Sequence, residues 1–109
     1  MPERTIKTLF FYYRQTNSGG SVFVSEKKGI GHVVWIEAID EKDADARAEE
    51  IGIYFDGCSS GRDCNCCGDR WSRARLDESV DESDKIQKDH VSSFIHFWDR
   101  SFEKNTKGL

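Results

Sequence analysis

Long apolar segments are missing from this sequence of 109 residues. No run approaches the roughly 20 apolar residues that a helix needs to cross a bilayer, and the N-terminus lacks the apolar core of a secretory signal peptide. We therefore expect the protein to remain in the cytosol of the cell that makes it. Because thiols are kept reduced in that compartment, clustered cysteines there favour a metal site over disulfide bonds.

A positive net charge is also missing. The sequence has 16 lysines and arginines against 20 acidic residues, which gives a formal net charge of −4. Proteins that bind nucleic acid over their whole surface usually carry a strong basic excess, so the sequence disfavours this class. The charge is nevertheless uneven, because four arginines cluster around the cysteines and keep a local anion site open: Arg62, Arg70, Arg73 and Arg75.

The sequence further lacks a recognisable catalytic triad, a pair of catalytic carboxylates and a nucleotide-binding loop, so we expect a protein that is not an enzyme. Apolar residues make up only 37% of the chain, but 12% of it is aromatic. Each large ring can bury about 150–250 Å² and so can supply much of a small core. With no internal repeat, the chain is expected to form one domain over residues 1–109.

Three segments in the first part of the chain have the aromatic and β-branched composition of strands: residues 6–14, 21–25 and 32–39. Turn-forming residues separate them, rich in glycine, asparagine and serine. The sequence therefore predicts a three-stranded antiparallel meander. The continuous apolar run over residues 9–13 marks the first strand as a central one.

The apolar period changes after residue 39. Asp40 can cap a helix, Gly52 can end it, and three apolar residues between them recur at helical spacing: Ala44, Ala48 and Ile51. The pattern predicts one helix over residues 41–51. Residues 76–89 are acidic and predict an exposed loop.

The last apolar segment fits either a helical stripe or two short strands. Its aromatic, β-prone composition favours strands over residues 93–98 and 101–104, which would form a C-terminal hairpin. The expected fold class is α+β, with an antiparallel sheet, one helix and a cysteine-rich loop over residues 56–71.

All four cysteines lie in that loop: Cys58, Cys64, Cys66 and Cys67. Residues 64–68 contain the C-x-x-C-G spacing of a zinc knuckle, in which two thiolates on a tight turn face one ion. A second such pair is missing, so the other ligands would come from Cys58, Cys66 or a histidine (His32, His90 or His96). Because adjacent residues seldom face the same ion, Cys58 is the best third ligand and Cys66 the weakest.

We therefore expect one structural zinc ion in the loop, which has few apolar groups to hold it in place. Two alternatives remain open for the same cysteines. Free thiols can pack as small apolar groups, and two of them can form a disulfide.

The candidate ligand-binding residues are Arg62, Arg70, Trp71 and Arg73, beside the cysteines. Arginine side chains can bind a phosphate through charge-assisted hydrogen bonds, and an exposed tryptophan can stack on a nucleic-acid base. The plainer alternative is that Trp71 packs over the thiol loop while the arginines pair with neighbouring carboxylates, those of Asp56, Asp63 and Asp69.

Residues 44–71, with Tyr-Phe-Asp-Gly followed by Asp-Cys-Asn-Cys-Cys-Gly-Asp-Arg-Trp, resemble small proteins encoded by tailed bacteriophages. The run Phe-Tyr-Tyr-Arg-Gln-Thr-Asn-Ser-Gly-Gly near the start is similar too. The resemblance implies a phage gene expressed in the cytoplasm of a bacterial host. Short phage genes of this kind often encode proteins that bind and inhibit host enzymes or components of host immunity. The expected function is a non-enzymatic accessory protein, with a counter-defence or host-takeover role, that binds a host protein or a small anionic ligand. The alternative is a zinc-containing nucleic-acid-binding module.

Overall fold

The computed structural model describes residues 7–16, 24–61, 69–82, 85–86 and 93–104. They form an α+β domain in which one long helix packs on a four-stranded sheet. The elements are β1 (Leu9–Arg14), β2 (Val33–Ala38), α1 (Glu41–Ile51), the single-turn α2 (Gly57–Ser60), a 3-10 turn (Leu76–Glu78), β3 (Ser93–His96) and β4 (Phe102–Lys104). Within the described ranges, no helix has the length and apolar character that spanning a bilayer would require.

The sheet is mixed, with the strand order β1-β2-β3-β4. β1 and β2 run antiparallel, as do β3 and β4, whereas β2 and β3 are parallel, with Trp35 beside Ile95. The predicted all-antiparallel sheet is therefore wrong. Two strands joined by a tight turn must be antiparallel, but β3 follows a long connection through α1 and enters the sheet in the same direction as β2.

The predicted three-stranded meander is also wrong, because its first and third strands pair directly as β1 and β2. Of the predicted middle strand, residues 21–23 lie outside the described residues. Ser25 forms only an isolated bridge, exchanging two backbone hydrogen bonds of 2.8 and 2.9 Å with Ile30. This bridge closes a tight turn over residues 25–30, which we call the Gly29 turn.

α1 begins and ends where its sequence signals predict. The Asp40 carboxylate accepts a hydrogen bond of 2.7 Å from the Asp43 N–H at the first turn. Gly52 ends the helix with a left-handed φ of 109°, and its N–H donates to the carbonyls of Ala48 and Glu49. Two small buried residues, Ala44 and Ala48, face the sheet. The predicted C-terminal hairpin is confirmed as β3 and β4.

Both faces of the sheet are buried. The face beneath α1 carries the larger core, which includes Phe11, Tyr13, Val34, Ile36, Ile53 and Trp71. The opposite face carries a second core of Phe10, Val33, Trp35, Ile86 and Ile95. Alternate residues of each strand point to opposite faces, so burial on both sides explains the continuous apolar runs of β1 and β2. The prediction that the first strand is central is nevertheless wrong, because β1 is the end strand of the described sheet.

The acidic segment supplies part of this second core. Leu76 at its start is 56% exposed, as an exposed loop predicts. However, Val80 forms a bridge with Phe10 through hydrogen bonds of 2.7 and 3.0 Å, and Ile86 is only 3% exposed. The prediction of an exposed loop therefore holds for only some of the described residues of this segment. The others are buried because their apolar side chains cover the sheet.

Candidate functional site

The predicted zinc ligands fall mostly outside the described residues. Cys64, Cys66, Cys67 and the alternative ligand His90 all do, as does Arg62 of the predicted ligand-binding set; Cys58 is placed by the backbone of α2. Among the residues that the structure describes, no group of three or more histidine, cysteine or acidic residues is arranged to hold a metal ion. The zinc site therefore stays a prediction.

Trp71 and Arg70 serve as internal contacts. The Trp71 side chain is 2% exposed and belongs to the core beneath α1, so no ring face is open for a base to stack on. Arg70 donates hydrogen bonds to Gln15 Oε1 at 3.1 Å and to the Tyr54 hydroxyl at 3.3 Å. The backbone N–H of Thr16 donates to the Arg70 carbonyl at 2.8 Å. These bonds fasten the end of the cysteine-rich loop to the end of β1.

Arg73 is exposed but engaged with neighbouring acidic and aromatic groups. Its guanidinium bonds to Asp56 at 2.6 Å, lies 4.0 Å from an Asp45 oxygen and sits 4.9 Å from the Phe55 ring centre. The pairing with Asp56 follows the plainer of the two interpretations of these arginines. Arg75, further along, pairs with Asp77 at 3.1 Å.

A hollow of about 310 Å³ opens at the end of β1, where it is lined by Arg14, Gln15, Thr16 and His32. Gln15 is 1% exposed, and its amide donates to the Gly31 carbonyl at 2.7 Å while accepting from Arg70. The Gln15 amide in this hollow is thus used to hold chain segments together.

A larger hollow, of about 370 Å³, opens where α1 ends against the Gly29 turn and the β3–β4 hairpin. We call it the His96 hollow; its lining residues are Lys28, Glu49, Glu50, Ile51, Gly52, His96, Arg100 and Phe102. A cavity of about 30 Å³ shares Glu50, Ile51, His96 and Arg100 with it and adds Arg47. None of these positions belongs to the predicted ligand-binding set.

The floor of the hollow is a pair of stacked rings. His96 in β3 stands opposite Phe102 in β4, with ring centres 4.9 Å apart and planes 29° from parallel. His96 Nε2 donates a hydrogen bond of 2.7 Å to the carbonyl of Gly29, because a carbonyl can only accept. Burial lowers the pKa of His96, so the ring is neutral and its Nδ1 is a hydrogen-bond acceptor.

The close fit of the Gly29 turn against these rings requires glycine. Gly29 has a φ of 71°, and a Cβ at this position would lie 2.6 Å from Phe102 Cδ2 and 2.8 Å from two atoms of the His96 ring. Any other residue would have to push the rings apart. The glycine therefore sets the depth of the hollow.

The rim carries charges of both signs. Arg100 and Glu50 form an ion pair of 3.1 Å whose side chains are 60% and 51% exposed. Lys28 places its ammonium 3.9 Å from where a Cβ of Gly52 would stand, just beyond the end of α1. The last turn of α1 has no basic residue, so Lys28 provides the positive charge that a helix C-terminus favours.

One wall of the small cavity beside the hollow is held in place by several contacts. The Arg47 side chain, 12% exposed, bonds to Asp43 at 3.2 Å and donates to the Trp98 carbonyl at 3.1 Å. Its guanidinium lies 3.9 Å from the centre of the Trp98 ring, within the range of a cation–π contact. The Trp98 N–H in turn donates to Glu37 at 2.8 Å. α1 and the β3–β4 hairpin are thereby joined on a fixed geometry.

Sequence reasoning missed this site because its residues come from three separate segments and form no motif. His96 was considered only as an alternative zinc ligand. One signal was present in the sequence: a histidine inside the otherwise apolar run Phe-Ile-His-Phe-Trp of the last strands.

The chain folds as a small α+β domain with an open hollow of about 370 Å³ where a helix ends on a mixed sheet. The chain belongs to the family DUF7296, a domain of unknown function, whose model matches residues 8–107. No curated protein and no solved structure matches the chain.

Proposed function

We propose that the protein is a non-enzymatic phage accessory protein that binds a small ligand bearing an anionic group, in the cytoplasm of a bacterial host. The observation that carries the proposal is the His96 hollow. Its volume of about 370 Å³ lies within the roughly 300–1,000 Å³ of small-molecule sites. Two cationic side chains, Lys28 and Arg100, line it beside the Phe102 ring.

The two cations are available to a ligand. Among the described residues, the Arg100 guanidinium contacts only Glu50 in an exposed pair, and pairs of this kind contribute about 0–1 kcal/mol. The Lys28 side chain makes no hydrogen bond or ion pair to any residue that the structure describes. A ligand carboxylate or phosphate could therefore bind both side chains without breaking a strong contact.

The lining favours binding over catalysis. No serine, threonine or cysteine is among the described residues that line the hollow, so it lacks the hydroxyl and thiol groups that many enzymes use as nucleophiles. His96 is the one histidine among the described lining residues, and its Nε2 already donates to the Gly29 carbonyl. The hollow thus offers fixed charges and a flat aromatic surface.

A host protein could use the same surface. Phe102 is 40% exposed on β4, the last strand of the described sheet, and borders the hollow. A side chain or chain end of a partner could enter the hollow while the partner covers Phe102. The alternative of a nucleic-acid-binding module has less support, because Trp71 is buried and Arg73 and Arg75 are paired with carboxylates.

A structural zinc ion in the cysteine-rich loop is the second part of the proposal. Cys58, Cys64 and Cys67 would bind it, with Cys66 or a histidine as the fourth ligand. Its support is the C-x-x-C-G spacing and the reducing compartment. The zinc would hold the loop in a fixed conformation.

The test is a thermal-shift screen of the purified protein against small carboxylates, phosphates and nucleotides, followed by calorimetry of each hit. Binding in the His96 hollow should weaken about tenfold or more in Arg100→Ala, because a charge-assisted hydrogen bond is lost. Arg75→Ala is the matched control, since Arg75 forms an equally long and equally exposed ion pair outside the hollow. Equal weakening by the two variants, or no hit combined with no recovered host partner, would contradict the proposal.

A further inference from the structure

We infer that the His96 hollow takes a zwitterionic ligand, with an ammonium and a carboxylate group on neighbouring atoms as in a free α-amino acid. The inference rests on the proposed function and narrows its ligand class. It follows from how the charges of the lining are distributed.

The charges of the hollow balance. Lys28 and Arg100 supply two positive charges, and Glu49 and Glu50 supply two negative charges. A ligand with only anionic groups would be attracted by the first pair and repelled by the second. A ligand with one charge of each sign meets an opposite charge at both ends.

The ion pair between Arg100 and Glu50 is the element that such a ligand would replace. Its 3.1 Å contact is exposed on both sides, so it opens at little cost. The ligand carboxylate would bind the Arg100 guanidinium through two parallel hydrogen bonds, and the ligand ammonium would bind Glu50. Each protein charge would exchange one partner for another, and none would be left alone.

Two further groups favour an ammonium beside Glu50. The hollow lies at the C-terminal end of α1, where the aligned peptide dipoles leave partial negative charge. Gly52 N–H satisfies the carbonyls of Ala48 and Glu49, so the last two carbonyls of the helix are left for other donors. The neutral His96 ring also offers Nδ1 as an acceptor.

The remaining lining suits an apolar side chain on the ligand. Ile51 and the 40%-exposed ring of Phe102 provide the apolar surface. An aromatic or branched amino-acid side chain could stack on Phe102 while its backbone groups meet the charged rim. The probes are therefore the twenty protein amino acids. We expect the aromatic and branched ones to be among those that bind most tightly.

The experiment compares each amino acid that binds with two of its derivatives by calorimetry. The N-acetyl derivative keeps the carboxylate and loses the ammonium, whereas the amide derivative keeps the ammonium and loses the carboxylate. We expect both to bind about tenfold or more weakly than the parent amino acid. Glu50→Gln should weaken the parent by a similar factor and should not weaken the N-acetyl derivative, because it removes a negative charge that repels that anion and competes for Arg100. Asp77→Asn is the control outside the hollow.

The possible failures are distinguishable. If an N-acetyl derivative binds as tightly as its parent, or if phosphates bind and no amino acid does, the zwitterion inference is overturned and the proposed function stands. If neither amino acids nor any carboxylate, phosphate or nucleotide binds, the inference is overturned, and if no host partner is recovered either, the proposed function is overturned with it. Loss of binding in Asp77→Asn as well as in Glu50→Gln would place the ligand elsewhere and also overturn the inference.

Discussion

His96 Nε2 donates to the carbonyl of Gly29 across 2.7 Å, and this one bond joins the third strand of the sheet to a turn 67 residues earlier in the chain. It holds the Gly29 turn down on the sheet beside the end of α1. The floor of the His96 hollow, and much of its shape, depends on this contact.

Gly29→Ala is expected to destabilise the protein in two ways. A non-glycine residue at positive φ costs about 1–2 kcal/mol, and the clash with the His96 and Phe102 rings adds about 1–3 kcal/mol of overpacking. Urea unfolding followed by circular dichroism would measure the sum.

Gly61→Ala separates the two contributions. Gly61 also has a positive φ, 82°, but a Cβ there would meet no atom within 4 Å. This control should show the backbone cost alone. Equal losses in the two variants would mean that the rings move aside freely and that Gly29 does not set the shape of the hollow.

The stability of the protein should fall in mild acid because of His96. Burial lowers the pKa of His96 below its ordinary value of 6.5, so below pH 6.5 the unfolded state binds more protons than the folded state. The free energy of unfolding should therefore decrease as pH falls below 6.5 and be fully regained above it. His96→Gln should flatten this dependence, measured by urea unfolding between about pH 5 and pH 8.

His32→Gln is the control for this pH series. A slope that survives in His96→Gln but disappears in His32→Gln would assign the dependence to the wrong histidine and refute the prediction.

Tyr13→Phe should cost about 1.5–3 kcal/mol, the range for a hydrogen bond to a charged group. The Tyr13 hydroxyl donates to Asp45 Oδ1 at 2.8 Å, and the same oxygen accepts from the Ala74 N–H at 2.9 Å. The pair thus joins β1, α1 and the chain beyond the cysteine-rich loop. Chemical denaturation of the variant measures the loss.

Tyr12→Phe is the matched control, because the Tyr12 hydroxyl makes no hydrogen bond within the described part of the chain. Its effect should stay within about 0.5 kcal/mol. Burial and Asp45 also raise the pKa of Tyr13, so this tyrosine should remain protonated in an ultraviolet titration above about pH 10. An ultraviolet transition near pH 10 that disappears in Tyr13→Phe would contradict this.

The zinc prediction concerns the cysteine-rich loop. Ordering a backbone costs about 1–2 kcal/mol per residue, and a four-coordinate zinc ion can offset roughly 10 kcal/mol or more. Protein purified without added metal should contain about one zinc per chain, lost in Cys64→Ser or Cys67→Ser but kept in Ser59→Ala. Because each cysteine thiol must lose its proton to bind zinc as a thiolate, the affinity for zinc should decrease as pH falls. A metal-free, folded protein whose melting is unchanged by chelator would rule the zinc out.

The parts of the fold that could be predicted have local causes. α1 was predicted to its exact ends because Asp40, the alanine spacing and Gly52 act within a few residues of one another. The C-terminal hairpin was predicted from its aromatic, β-prone composition. The direction of β3 relative to β2 was not predicted from the sequence, because it depends on the long connection between the two strands.

The candidate site could not be predicted for the same reason. Lys28, Glu50 and His96 belong to no recognisable motif in their own segments. They form a hollow only because the fold brings these segments together. The arginines beside the cysteines were more conspicuous in the sequence. In the structure, Arg70 donates hydrogen bonds to Tyr54 and Gln15, and Arg73 forms an ion pair with Asp56.

By itself, the sequence determined the limits of α1, the strand character of the apolar segments and the concentration of thiols in one loop. The tertiary structure alone decided that β2 and β3 run parallel, that Trp71 is buried and that His96 lies beneath the Gly29 turn. The physical reason is the range of the interactions. Caps and periodicity act between near neighbours, whereas burial and cavities arise where distant segments pack together.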